Sequence, residues 1–227
     1  MKFNPLQTPA FALGRRQFVQ GGLIAAAVVG LGGPAALAQQ TVDTEKLLAG
    51  HEVPDLVLGN PDAKVTIVEF ASLSCPHCAA FHTEALPKLK EKYIDTGKVR
   101  LVMRDHPLND PAFAGSLLAR CADDNDKKVR LMMVLYERQR YWLGSPDILG
   151  RLFEIAKQAG FNQQKFEACL SDQAKYEKLL KQRNRSADEF NVRGTPSFFI
   201  NGTRFQGDFT DPEAFAKVID PLLKEAS

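Results

Sequence analysis

Residues 63–72 read AKVTIVEFAS, a run of β-branched and aromatic residues too short for a helical period, and predict a buried strand. From Cys75 to Tyr93 the apolar residues Ala79, Phe81, Ala85, Leu86 and Leu89 recur at roughly helical spacing, with Pro87 placed to bend that helix. KVRLVMRDHPL, residues 98–108, predicts a second strand. Strand, helix and strand in close succession are the footprint of a βαβ unit. The pattern then turns helical, with segments opening at Pro111-Ala112 and running through Cys121, from Lys128 to Trp142, from Pro146 to Gly160, around Phe166 and Cys169, and from Ala174 to Phe190. Prolines near starts and glycines near ends are the expected punctuation. The β pattern returns in TPSFFINGTRFQG, where Asn201-Gly202 between apolar runs signals a type I′ hairpin, with Phe198 and Phe199 as core residues. DPEAFAKVIDPLLKEA then predicts an amphipathic helix, and the polar residues 39–63, with turn signals Gly59-Asn60-Pro61-Asp62, read as an N-terminal arm.

This order, βαβ, a helical block, then ββα, implies an α/β fold. If the second half pairs with the first, one sheet results with helices on both sides, and the helical block is an insertion. The expected divisions are residues 1–38 as an export segment, 39–61 as the arm, 62–108 and 191–227 as the two halves of the core, and 109–190 as the helical insertion.

With 227 residues, 44% of them hydrophobic, the chain can bury one ordinary core. Residues 1–38 hold Lys2, Arg15 and Arg16 and no acid, which leaves 26 basic against 27 acidic residues beyond them. That balance gives no reason to expect nucleic-acid binding. The first segment has adjacent arginines, Phe18, an apolar Gly/Ala-rich run from Gly21 to Gly33 and the small residues Ala36 and Ala38. It resembles a twin-arginine export signal cleaved before Gln39, although Gly14 stands where such signals carry Ser or Thr. General secretory export and an uncleaved membrane anchor are the alternatives; the run is short for a span of about 20 residues. A periplasmic location follows as the expectation, and there cysteine pairs can be oxidised. Cys121 and Cys169, on two predicted helices, are expected to form a structural disulfide, two separate buried thiols being the alternative.

SLSCPHCAAFH, residues 72–82, places Cys75 and Cys78 between a strand and a helix. Unpaired N–H groups at a helix start carry partial positive charge. With Pro76 as the first helical residue, Cys75 would cap the helix, and a thiolate there is a reactive nucleophile and a good leaving group. His77, when protonated, adds positive charge that favours the reduced form and makes the disulfide more oxidising. The same C-x-x-C also suits a staple or a zinc or copper site, with His82 one turn beyond Cys78. A closed zinc site wants four ligands, and no second C-x-x-C or nearby Cys/His pair completes one, so His82 is expected as a surface or packing residue and no metal is expected.

The chain resembles the DsbA-like thiol:disulfide oxidoreductases of the thioredoxin superfamily over nearly all of residues 62–223. The resemblance lies in Cys75-Pro76-His77-Cys78, in Gly194-Thr195-Pro196 before a strand, and in the helical insertion between the halves of the core. It implies a thioredoxin-like core with an inserted α-helical domain, Cys75 as the exposed attacking cysteine and Cys78 as the buried resolving one. It also implies a cis Pro196 packed against the disulfide, with the Thr195 backbone free to pair with a substrate strand, and Glu69 as a buried acid moving protons for Cys78. Glu69 as a surface carboxylate at the strand edge is the alternative. No cofactor beyond the disulfide is implied. The implied partners are exported proteins with free thiols and a DsbB-like membrane oxidase, with the protein itself a monomer. Cys-Pro-His-Cys is typical of the oxidising branch, whereas Thr195 is more like the isomerase and reductase branch, so the direction of exchange stays open.

Overall fold

The computed structural model describes residues 40–225, so the export signal expected over residues 1–38 lies outside the described residues. Strand β2 (Val65–Ala71) is buried along its whole length, as expected of an apolar run covered on both faces. It pairs in parallel with β3 (Val99–Asp105), from Val65 opposite Val99 to Ala71 opposite Asp105. Parallel neighbours need a crossover. Here it is one helical run made of α2 (Pro76–Ala80), a π-helical turn (Phe81–Ala85), α3 (Leu86–Leu89) and a second π-helical turn (Lys90–Ile94). The helix expected to bend at Pro87 is instead widened just before it. Pro87 has no N–H for the Thr83 carbonyl and its ring crowds that oxygen, while the Leu86 N–H reaches back to the Phe81 oxygen.

On the other side of β2, β4 (Ser197–Ile200) runs antiparallel with Phe198 opposite Glu69, and β5 (Thr203–Arg204) completes a hairpin. Asn201 and Gly202 take the positive φ values, 44° and 82°, that the I′ turn requires. The last helix, α10 (Pro212–Glu225), buries Phe215 and Ile219 and packs against α3 and β2.

The stretch expected to be an arm does more than lead in. It forms α1 (Thr44–Leu48) and β1 (Leu56–Leu58), and β1 adds antiparallel to β3, so the sheet order is β1-β3-β2-β4-β5. Three residues beside a turn were too short a run to read as a strand. Arg104 ties this segment to the sheet: its buried guanidinium bonds both carboxylate oxygens of Asp55 at 2.8 Å and the Leu47 carbonyl.

The helical insertion comprises α4 (Asp110–Arg120), α5 (Asn125–Glu137), α6 (Gln139–Leu143), α7 (Ile148–Gln158), α8 (Gln163–Leu170) and α9 (Gln173–Glu189). Asn109, Asp124, Asp147, Asn162 and Asp172 each accept a first-turn N–H, so these side-chain caps set most of the starts. The helix expected from Lys128 to Trp142 therefore begins earlier, at Asn125, and it breaks at Arg138, beyond which α6 buries Gln139 and Trp142. Cys121 and Cys169 form a disulfide with their Cα atoms 6.0 Å apart, joining the end of α4 to α8. One apolar cluster runs from Phe81, Phe198 and Phe215 on the sheet side to Trp142, Leu152 and Ile155 in the insertion. Among the described residues no helix is long and apolar enough to cross a membrane.

Candidate active site

Cys75 stands at the N-cap of α2 with extended backbone (φ −85°, ψ 120°), and Pro76 occupies the first helical position. The turn leading into it is held at several points. The Cys75 N–H donates to the Ser72 carbonyl at 3.0 Å, and the Ser72 hydroxyl receives the Ser74 and Leu108 N–H groups, both at 3.3 Å. From the insertion, the buried Gln139 amide donates to the carbonyls of Leu73 at 2.8 Å and Cys75 at 2.9 Å. The cysteine's backbone is thus fixed from both sides of the chain.

The Thr195-Pro196 peptide is cis and lies against this cap. Its approach changes one expectation: Cys75, implied to be exposed, is only 6% exposed, because its Sγ donates to the Thr195 carbonyl at 3.1 Å under the loop. The Thr195 hydroxyl is buried and meets no partner at normal hydrogen-bond geometry, which leaves it available to a thiolate at Cys75. His77 turns outward, its ring 5.5 Å from that of Phe209.

Both cysteines are free thiols, and their environments pull them apart. The Cys75 pKa is lowered from 9.0 to about 5, chiefly by a hydrogen bond from the Cys78 thiol. The Thr195 hydroxyl and the N–H groups of Cys78 and His77 add to this against the opposing effect of burial. Cys78 is fully buried, and burial first, then its bond to Cys75 and the charge of Glu69, push its thiol well above 9.0. One sulfur favours the anion, the other the thiol.

Glu69, whose charge acts on Cys78, is fully buried rather than at the surface. Its partner is His82, whose Nε2 is 3.1 Å from Oε1 and 3.0 Å from Oε2. His82 therefore belongs to the interior of the site. The spacing from Cys78 to His82 carried that signal, since residues four apart share a helix face. Gln139 had no such signal: it lies inside a segment whose break at Arg138 the periodicity did not show.

Known proteins resemble the chain over most of its length. The sequence pattern of the Thioredoxin family matches residues 51–221. A protein of Rickettsia bellii, provisionally named a protein-disulfide oxidoreductase, is 33% identical over 185 residues, 82% of this chain and 71% of its own length. A Bacillus cereus protein provisionally named disulfide bond formation protein D is 31% identical over 177 residues, 74% of this chain and 78% of its own. Among solved structures, alpha-DsbA1 of Wolbachia pipientis superposes with a TM-score of 0.72 at 28% identity, covering 82% of this chain and 98% of that one. The chain belongs to the thioredoxin family and, within it, is a DsbA-like protein-disulfide oxidoreductase.

Proposed function

We propose that the protein donates its Cys75–Cys78 disulfide to exported proteins in the periplasm. A substrate thiolate attacks Cys75 Sγ, a mixed disulfide forms there, and the Cys75–Cys78 bond breaks with its electron pair left on Cys78 Sγ. A second substrate thiolate then attacks the substrate sulfur of the mixed disulfide, the substrate is oxidised, and Cys75 departs as a thiolate. The dithiol itself carries the electrons, with no bound cofactor. The reduced enzyme, a monomer, returns its two electrons to a DsbB-like membrane oxidase. Delivery to this compartment relies on the twin-arginine-like segment before Gln39.

The observation that carries the reading is the asymmetry of the two thiols. Cys75, with its pKa near 5, is the better leaving group, and stabilising it favours the reduced enzyme, which is the property of a donor of disulfides. The cis Thr195-Pro196 loop over Cys75 supplies a backbone edge against which an extended substrate segment can lie.

Cys75→Ser is expected to abolish oxidation of a reduced test protein, and Cys78→Ser to accumulate mixed disulfides on a non-reducing gel. Retained activity in the first variant would sink the mechanism. Equilibration with glutathione sets the direction: a potential well above the roughly −270 mV of thioredoxin supports donation, and one near it assigns the protein to reduction. Thr195 keeps isomerisation as the second reading, to be scored by recovery of activity from a scrambled, fully oxidised substrate.

A further inference from the structure

The exchange leaves a proton to be accounted for. When the disulfide breaks, Cys78 Sγ is released as an anion in a fully buried position that strongly favours the thiol. Glu69 is near enough to that sulfur for its charge to act on it, and an ionisable ring meets the Glu69 carboxylate. That ring is His82, and its side chain and that of Glu69 are 1% and 0% exposed.

The state of the ring follows from its other nitrogen. His82 Nδ1 sits 3.3 Å from the Met133 Sδ. A thioether has lone pairs but no proton, so Nδ1 carries the hydrogen in that contact. Nε2 then faces the carboxylate at 3.0 Å. Without a proton between them, two sets of lone pairs would oppose each other out of reach of water. With it, the pair is imidazolium and carboxylate, or imidazole and carboxylic acid, and is neutral either way. Tyr136 stacks on the imidazole, ring centroids 3.9 Å apart and planes 11° from parallel, and holds its orientation. Among the described residues, the titratable groups that interact with the pair or with the ring stacked on it include Cys78 from α2, Cys75 at its cap, Tyr136 from α5 and Asp105 from β3, and burial pushes both Cys78 and Tyr136 toward their neutral forms. None of them supplies a competing cation.

We infer that His82 is a positioning residue for disulfide release, keeping on Glu69 the one mobile proton that Glu69 hands to Cys78 Sγ as the Cys75–Cys78 bond breaks. The inference rests on the reading of the dithiol as the site of exchange and of Glu69 as its acid. The step balances. The substrate–Cys75 S–S bond forms, the Cys75–Cys78 bond breaks, the electron pair goes to Cys78 Sγ, and the shared proton moves from a Glu69 carboxyl oxygen to that sulfur. What remains is a carboxylate beside a neutral, Nδ1-protonated imidazole. A proton from solvent then restores the pair; the nearest approach of solvent on this side is a cleft of about 470 Å³ between α2 and the α5–α6 junction, lined by Tyr136, whose ring stacks on His82. Reoxidation runs the same transfers backwards. The π-helical turn at Phe81–Ala85 contains His82, and such turns often occur at functional positions.

The test combines a spectroscopic and a kinetic readout on the full-length protein. In ¹⁵N-histidine NMR, His82 is expected to keep its hydrogen on Nδ1 in both redox forms; an unprotonated Nδ1 overturns the inference. Reduction of the oxidised protein by dithiothreitol at pH 7, trapped by acid and alkylation, gives the rate of disulfide release. His82→Gln and Glu69→Gln are each expected to slow it by roughly 10²-fold, as loss of a general acid does. The double variant should be no slower than Glu69→Gln alone, and the solvent isotope effect of the unaltered protein should be lost in all three. Met133→Leu, which keeps acid, imidazole and volume, covers the case of a variant that does not fold: it is expected to release the tautomer in the NMR spectrum and to slow the same step. A His82→Gln protein with unaltered rate and isotope effect overturns the inference while leaving dithiol exchange standing, as does a slow Glu69→Gln beside a normal His82→Gln. If the unaltered protein does not exchange its disulfide with dithiothreitol at all, the functional reading fails with it.

Discussion

Acidification is expected to remove the advantage that the reduced protein draws from Cys75. Its thiol titrates from 9.0 in an ordinary setting to about 5 here, first because the Cys78 thiol donates to it. A group depressed on folding contributes stability that is complete above its unfolded value and is lost as pH falls through its folded one. The contribution therefore grows from about pH 5 to about pH 9. At pH 7 the sulfur is two units above its folded value, which at 1.36 kcal/mol per unit is about 3 kcal/mol, and near pH 4 almost nothing is left. Because substrate must reach this sulfur and water can screen it, 3 kcal/mol is an upper bound. The oxidised protein has no thiol to titrate, so the difference in unfolding free energy between the two redox forms isolates this one group. His106, whose pKa is lowered from 6.5 to about 4 by burial and by Arg183, costs stability as pH falls through that range, but equally in both forms, and cancels. Cys78, held as a thiol, does not titrate there. Urea unfolding of both forms at pH 4, 5, 6 and 7 should show the reduced protein gaining up to about 3 kcal/mol on the oxidised one, with thiolate absorbance at 240 nm rising with a midpoint near 5. In the redox couple the same energy is about 60 mV. A difference that stays flat from pH 4 to 7, or an absorbance midpoint near 9, would refute the reasoning.

Other consequences can be measured separately. Thr195→Val, close in shape but without the hydroxyl that supports the Cys75 anion, should move the 240 nm midpoint upward from about 5. Replacing Cys121 and Cys169 together by alanine opens a closed loop of 48 residues and should cost roughly 2–4 kcal/mol in urea unfolding, while the folded protein still exchanges dithiols. Asp55→Ala strands the buried Arg104 guanidinium; a loss of about 3 kcal/mol, with faster hydrogen exchange in Thr44–Leu48 and Leu56–Leu58, is expected.

What could be read from the chain beforehand followed from how local each signal was. β2 was legible because burial on both faces leaves a short run rich in β-branched and aromatic residues, interrupted only by Thr66 and Glu69, and the hairpin because Asn201-Gly202 satisfies two positive φ angles. The pairing of Cys75 with a helix start needed only the order of strand and helix. β1 was not legible: Leu56–Leu58 is too short to show a period and is defined by its partner across the sheet, Leu101–Met103. The starts of α5 and α7 differ from those expected at Lys128 and Pro146 because the Asx caps Asp124 and Asp147, which supply acceptors for the first N–H groups, set them. The burial of Cys75 under Thr195 joins residues 120 positions apart, and nothing local announces that the loop closes over the sulfur.

The same distinction explains where the site is tuned. The strand, the turn, α2 and the cis-proline loop come from the core and place the two sulfurs. The groups that hold their surroundings come from the insertion: Gln139 on α6 fixes the carbonyls of Leu73 and Cys75, while Met133 and Tyr136 on α5 hold the imidazole that meets Glu69. Because α5 and α6 meet at the break at Arg138, a shift there would reach the Cys75 cap through Gln139 and the His82–Glu69 pair through Tyr136 together. The backbone of one cysteine and the imidazole that meets Glu69 are thus held from neighbouring turns of the helical insertion. Changes in this segment can alter the redox behaviour of the protein without touching any residue of the Cys-Pro-His-Cys motif.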